Sequence, residues 1–249
     1  MEEVSVIILA GGKGTRMKSD RAKVLHELGG IPMIRHVVHT ALAVVEDVVV
    51  VIGHQAERVR RVLSDFPSLL FAVQDEQLGT GHAVITALPL IPDTMRDAVI
   101  LCGDTPLIQA QTIEVLINEH RAREVELTLA TTRLDEPVGY GRIICDAQRR
   151  VMRIVEEADA SDSEKKIDTV NTGTYCAKAA FLRRFLPDLR HDNAQGEFYL
   201  TDVVEKAYQR GIPAAVVELS NSLEVLGINT MEDLARAEAS CREMVDHGG

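Results

Sequence analysis

No stretch of this 249-residue chain approaches the ~20 consecutive apolar residues that span a bilayer, which excludes a membrane-crossing helix. The N-terminus begins Met1-Glu2-Glu3 and passes at once into an apolar run. It lacks the basic region, apolar core and cleavage site of a secretory signal. The four cysteines (102, 145, 176 and 241) are scattered and form no C-x-x-C. That argues against zinc and dithiol chemistry and leaves reduced thiols in a cytoplasmic protein as the expectation. Positive charge is in deficit, with 27 Lys and Arg against 38 Asp and Glu and a net charge of −11. A polyanion-binding surface is therefore not expected, and neither nucleic acid nor membrane is an expected partner. There is no internal repeat and no low-complexity linker, so one domain over 1–249 is expected.

Against that acidic background one segment stands out. Residues 9–17 read Leu-Ala-Gly-Gly-Lys-Gly-Thr-Arg-Met and follow directly on the apolar residues Val4, Val6, Ile7 and Ile8. This is a buried strand running into a glycine-rich turn. Glycines let the backbone approach a ligand, and successive N–H groups in such a turn form a concave anion site. Between Gly11 and Lys23 the sequence holds five basic residues and one acid, Asp20. A local cationic patch on an acidic chain points to a small phosphorylated ligand. The turn is not a P-loop, because no Lys-Ser or Lys-Thr stands at the required spacing. It is not the dinucleotide fingerprint either, since the last position is Met17 rather than glycine.

The rest of the first half alternates strand and helix. Val48–Ile52, Leu69–Val73, Ala98–Cys102 and Leu127–Thr131 read as strands. A helix opened by Pro32 has an apolar face of Ile34, Val37, Val38, Ala41, Leu42 and Val45. Further helices are expected near Ala56–Leu63, Thr80–Leu88 and Ile113–Arg121. The alternation implies an α/β fold with a mostly parallel, mixed, Rossmann-like sheet and helices on both faces. Ligands then bind at the C-terminal strand ends, where the glycine turn and Asp104 both fall. In the second half Gly141–Cys145, Val151–Val155 and Val170–Ala177 read as an antiparallel insert or lobe beside that sheet. Helices are expected at Tyr199–Gln209 and Met231–Val245, the second capped by Asn229 or Thr230. His36 and His39 lie at i, i+3, as a metal pair or an exposed helix face.

Several blocks occur in a fixed order. They are LAGGKGTRM with Ala22–His26, EQLGTGHA at Glu76–Ala83, LCGDTPLI at Leu101–Ile108, GYGRI at Gly139–Ile143, NTG at Asn171–Gly173, GEFYLTD at Gly196–Asp202 and GIN at Gly227–Asn229. As an ordered set they resemble the uridylyltransferase (pyrophosphorylase) domain of the bifunctional N-acetylglucosamine-1-phosphate uridylyltransferase/glucosamine-1-phosphate acetyltransferases, within the sugar-nucleotidyltransferase superfamily. The resemblance implies the nucleotide-diphospho-sugar transferase fold, with a nucleotide-binding half over about 1–135 and a sugar-binding half with closing helices over about 136–249. It implies Mg²⁺-dependent transfer of a uridylyl group from UTP to N-acetylglucosamine 1-phosphate, a step in supplying cell-wall precursors.

On these positions the resemblance places Arg16, Lys23 and Asp104 as the catalytic set and Asp104 with Asn229 as metal ligands. Leu9, Ala10, Gly11, Gly12, Gly14, Gln74, Gly79 and Thr80 would bind the nucleotide. Tyr140, Gly141, Glu156, Asn171 and Thr201 would bind the sugar. Read locally, Asn229 is a helix cap, Gln74 a polar strand end, and Glu156 part of a solvated acidic run. Two departures matter. The bifunctional proteins usually have alanine where this chain has Gly11, which keeps another pair open, such as dTTP or UTP with glucose 1-phosphate. No hexapeptide period follows, so the acetyltransferase β-helix and its trimer are not expected here, and the oligomeric state stays open. A non-catalytic binder of nucleotide sugars is a third reading.

Overall fold

A computed structural model describes residues 1–225 and 227–247. The run Val4–Ala10 forms the first strand, β1, at the heart of the main sheet. Val6, Ile7 and Ile8 are fully buried because both faces are covered. Val6 and Ile8 pack into one core, and Ile7 packs into the other. A doubly covered strand is apolar at every position rather than at alternate ones, which is why the sequence signal was so plain.

A short hairpin, β2 (Glu27–Leu28) and β3 (Ile31–Pro32), precedes helix α1 (Met33–Leu42). Then come β4 (Asp47–Ile52), α2 (Ala56–Val62), β5 (Leu70–Val73), α3 (Thr80–Ala87), β6 (Asp97–Cys102), α4 (Ala110–Ala122) and β7 (Leu127–Arg133). The second half supplies β8 (Arg142–Cys145), β9 (Val151–Val155), β10 (Thr169–Lys178), α5 (Ala179–Phe185), α6 (Asp202–Gln209), β11 (Ala215–Glu218) and α7 (Met231–His247). The strand order is β11-β7-β10-β6-β1-β4-β5. Pairs β6-β1, β1-β4, β4-β5 and β11-β7 are parallel. The expected mixed sheet is therefore present. Side chains of α1, α2 and α4 fill one core, and those of α3, α5 and α6 fill the other. Among the described residues no helix is long and apolar enough to cross a membrane.

The second half departs from expectation in two places. Strand β10 is not confined to a lobe but inserts antiparallel between β6 and β7 in the main sheet. Its register slips between Asn171 and Tyr175, around Gly173 at φ 77°. The bulge bends one long strand, so that Tyr175–Lys178 pair with β6 while Val170 also meets Arg142 of β8. Only β8 and β9 form the lobe beside the sheet. Second, α6 starts at Asp202, not Tyr199. The chain before it is extended across the entry to α3: Gly81 N–H donates to Phe198 O (2.8 Å) and Leu200 N–H to Thr80 Oγ1 (3.0 Å). At the start of α7, of the two expected caps, Thr230 takes the role. Thr230 Oγ1 accepts from Asp233 N–H (3.1 Å), and Asp233 Oδ2 accepts from Thr230 N–H (2.9 Å). This reciprocal box satisfies the helix start and leaves the Asn229 side chain for other work.

Candidate active site

The C-terminal ends of β1, β5 and β6 open onto a cavity of about 460 Å³. All eight positions assigned to the nucleotide line it: Leu9, Ala10, Gly11, Gly12 and Gly14 on the turn, with Gln74, Gly79 and Thr80 opposite. Gly12 faces open space, and Gly14 lies directly against the Lys23 side chain. Gly79 has φ 107°, and a Cβ there would stand 2.7 Å from Phe198 O, so no other residue fits without moving the chain. Gln74 is buried after β5. Its Nε2 donates to Gly79 O (3.1 Å) and lies 3.0 Å from His82 Nδ1, which must be the acceptor in that pair. A Cβ on Gly11 would come within 2.9 Å of Gln74 Oε1, so the glycine lets the amide lean onto the turn.

Four charged or amide side chains converge at the edge of this cavity. Lys23 Nζ donates to Asp104 Oδ2 and, at 2.9 Å, to Asn229 Oδ1. Arg16 Nη2 donates to the same Asn229 oxygen at 2.8 Å. The backbone fixes this arrangement. Ile228 N–H donates to Asp104 O (2.9 Å), fastening the loop before α7 to the end of β6. Asn229 Nδ2 donates to Gly227 O (3.0 Å), which turns its carbonyl oxygen toward the cations. Asp104 and Asn229 thus present two hard oxygens side by side. That donor set suits a small divalent cation that keeps waters and shares a substrate's phosphates. Among the described residues no group of three or more His, Cys, Asp or Glu could hold a metal by itself. His36 and His39 form no such centre, and the His36 ring is bonded to Leu28 O (3.0 Å).

A second cavity of about 170 Å³ adjoins the first and shares Leu9, Thr80, Cys102 and Asp104 with it. Tyr140, Gly141, Glu156, Asn171 and Thr201, the five positions assigned to the sugar, all line this one. Glu156 is half-buried rather than solvated. Burial pushes its carboxyl above the usual range, against the opposing effect of a Thr201 Oγ1 hydrogen bond (3.0 Å). Asn171 Nδ2 donates to the Tyr175 hydroxyl (2.7 Å), and Asn171 Oδ1 accepts from Gly173 N–H (3.2 Å) across the bulge. Burial, with Asp233 and Asp104 nearby, pushes the Tyr140 hydroxyl up to about 12.

Cys102, which sequence reasoning passed over, lies where the two cavities meet. Burial first, then the Asp104 charge, pushes its thiol up to about 12, so it stays protonated and unreactive. Its position has a sequence signal. Ala98 and Ile100 face the same core, and Cys102 continues their alternation to the strand's C-terminal end. Glu197 and Gln77, also unassigned, line the first cavity.

Comparison with known proteins identifies the family and the fold. Residues 6–169 match the MobA-like NTP transferase domain. The chain is 45% identical over 240 residues to the bifunctional protein GlmU of Desulfotalea psychrophila, covering 96% of this chain and 70% of that protein. It is 44% identical over 238 residues to the bifunctional protein GlmU of Geotalea uraniireducens, covering 95% and 52%. With that of Bacillus subtilis it shares 41% identity over 247 residues, covering 99% and 54%. The chain thus spans about half the length of most of these relatives. The crystal structure of a putative glucose-1-phosphate thymidylyltransferase from Bacillus anthracis superposes with a TM-score of 0.76 at 24% identity, covering 96% of this chain and 95% of that one, and shares the fold. The chain belongs to the MobA-like NTP transferase family, and within it is a nucleotidyltransferase of the GlmU, sugar-nucleotidyltransferase type.

Proposed function

We propose that this chain transfers a uridylyl group from UTP to N-acetylglucosamine 1-phosphate in a Mg²⁺-dependent reaction. The products are UDP-N-acetylglucosamine and pyrophosphate. The observation that carries the reading is the pair of adjoining cavities, with Arg16, Lys23, Asp104 and Asn229 gathered near their junction. A phosphate oxygen of the acceptor attacks the α-phosphorus, the bond to the bridging oxygen of the β-phosphate breaks, and pyrophosphate leaves. The acceptor is already ionised near neutral pH, so no general base is required. Catalysis then rests on alignment and on charge placed in advance. The glycine turn cradles the triphosphate, and Gln74 with Gly79 and Thr80 holds the base. Lys23 and Arg16 neutralise phosphate charge as it develops. Tyr140, Gly141, Glu156, Asn171 and Thr201 orient the sugar. Asp104 and Asn229 would hold Mg²⁺, which when bound supplies positive charge to the phosphates.

The test is pyrophosphate release across four nucleoside triphosphates and several sugar 1-phosphates. Release confined to UTP with N-acetylglucosamine 1-phosphate is expected, and loss of it in Asp104→Ala and Asn229→Ala under saturating Mg²⁺. Full activity of those two variants would refute the metal assignment. A second reading keeps the mechanism and changes the pair, for example dTTP or UTP with glucose 1-phosphate. It is favoured by one observation: Gln74 Oε1 leans over Gly11 where a Cβ would crowd it, so the floor of the base pocket follows this glycine. The same grid separates the two.

A further inference from the structure

The geometry points to the ion pair between buried Arg142 and half-exposed Glu157 as the device that positions the acceptor loop over residues 139–141, a role distinct from ligand contact. This rests on the reading that Gly141 and Glu156 face the sugar phosphate. Arg142 opens β8, and its side chain is 1% exposed. Its Nη1 donates to Tyr140 O, and its Nη2 lies 2.8 Å from Glu157 Oε2 and 3.3 Å from Lys165 O. Glu157 Oε2 in turn accepts from Gly139 N–H at 3.2 Å. One ion pair therefore grips the two residues immediately before Gly141 from opposite sides. On the far side, Gly141 O accepts from Asn171 N–H (2.8 Å).

Apart from the Tyr140 N–H bond to Pro137 O (3.2 Å) and the packing of Gly141 against Ile154, the loop has few restraints at its Val138–Gly139 end. Val138 is 75% exposed, and a Cβ on Gly139 would meet only the end of the Arg16 side chain. Tyr140 and the Gly141 N–H take their positions from the clamp. Stability alone is a poor reason for such a pair, because burying the Arg142 guanidinium costs desolvation that a partner still 31% exposed to water repays only in part. Arg142 Nε has no partner within the described structure, a further cost the site bears. The planar fork of the guanidinium meets the Tyr140 carbonyl through one nitrogen and the Glu157 carboxylate through the other, a fixed spacing that the single nitrogen of a lysine does not reproduce. Burial works to raise the Glu157 carboxyl, but the bonds from Arg142 and Gly139 outweigh it and hold it below the usual range, so it stays charged. The adjacent acids Glu156 and Glu157 thus divide the labour: the first faces the ligand, the second holds the loop.

Steady-state kinetics of Arg142→Lys, Glu157→Ala and Glu157→Gln in the intact chain test this. Arg142→Lys and Glu157→Ala should raise KM for the sugar 1-phosphate about ten- to a hundredfold, the worth of a lost charge-assisted hydrogen bond, with KM for the nucleotide within about twofold. Glu157→Gln still accepts from Gly139 N–H and should recover much of the loss. Equal rises in both KM values, or no rise in protein with wild-type thermal unfolding, would overturn the clamp. Amide hydrogen exchange of the loop in the ligand-free chain is the independent arm. Faster exchange at residues 139–141 in Arg142→Lys and Glu157→Ala supports the clamp even if wild-type protein turns over none of the sugar phosphates, an outcome that would sink the functional reading alone. Unchanged exchange sinks the clamp whatever the kinetics show.

Discussion

Replacing Lys23 by methionine should move two measurable quantities in opposite directions. The Lys23 ammonium sits on Asp104 Oδ2 and Asn229 Oδ1, the two oxygens proposed for the metal. A divalent cation must displace it. The Lys23 and Asp104 side chains are only 18% and 13% exposed, so this pair does not belong with the exposed ion pairs that contribute almost nothing. A hydrogen bond between charged groups is worth about 1.5–3 kcal/mol net. Removing that competitor should tighten binding of a divalent ion to the chain alone by about ten- to a hundredfold. Arg16 still holds the Asn229 oxygen in the variant, which favours the lower end. Turnover should fall instead. On the proposed mechanism Lys23 is preorganised charge for the triphosphate, and loss of one such group costs on the order of 10²–10³ in kcat. Mn²⁺ is the probe for the first quantity, since it takes the same oxygen ligands and free Mn²⁺ is counted by its paramagnetic resonance. Pyrophosphate release reads the second. Asp104→Asn is the control and should lower both. Unchanged or weaker Mn²⁺ binding in folded Lys23→Met would refute the competition and remove Asp104 from the metal site.

Three further outcomes are expected. Glu156 has a carboxyl pKa raised by burial, so acceptor affinity should fall as pH drops toward that raised value, and Glu156→Gln should flatten this acid limb while raising the acceptor KM by about tenfold; a pH profile of kcat/KM that keeps its acid limb in the variant would remove Glu156 from the sugar site. His82→Leu takes away an acceptor that orients the Gln74 amide, and should raise KM for the nucleotide several-fold without touching the acceptor KM, which paired titrations of the two substrates would check. Asp202 is pushed up to about 6 by burial first and the Glu205 charge second. Its folded pKa lies above its unfolded value, so its protonated form favours folding and stability declines as pH rises from ~4 through about 6. Since the group keeps solvent contact, the decline is only about 1 kcal/mol, and Asp202→Asn should melt higher than wild type at pH 7 but not at pH 4.

What was legible in the sequence depended on whether one segment carried the whole signal. Strands β1, β4 and β6 announce themselves because burial on both faces makes every position apolar, as in Val48–Ile52. Strand β10 carries no mark of where it pairs. Its insertion between β6 and β7 is a long-range choice, made possible by the bulge around Gly173, and the local pattern suits a lobe hairpin equally well. Adjacent acids such as Glu156 and Glu157 read as solvated until their partners are placed, and those partners, Thr201 and Arg142, are 45 and 15 positions away in the chain. Asn229 shows the limit most clearly. Locally it is a helix cap, and only the ordered motifs proposed it as a ligand. Yet Thr230 and Asp233 already stood in the sequence at the spacing of a reciprocal cap. Had that box been recognised, the cap would have been assigned to Thr230, and Asn229 would have stood out as an amide with no local task. In the folded chain its Nδ2 is spent on Gly227 O and its Oδ1 takes both Arg16 and Lys23. An amide so oriented presents its oxygen beside the Asp104 carboxylate, and for the proposed metal to share the two oxygens both cations would have to yield some of that contact to triphosphate. On the proposed mechanism Lys23 and Arg16 would have two successive tasks, holding the two oxygens in register before the nucleotide arrives and neutralising phosphate afterwards. That is why the Lys23→Met experiment separates binding of the ion from turnover.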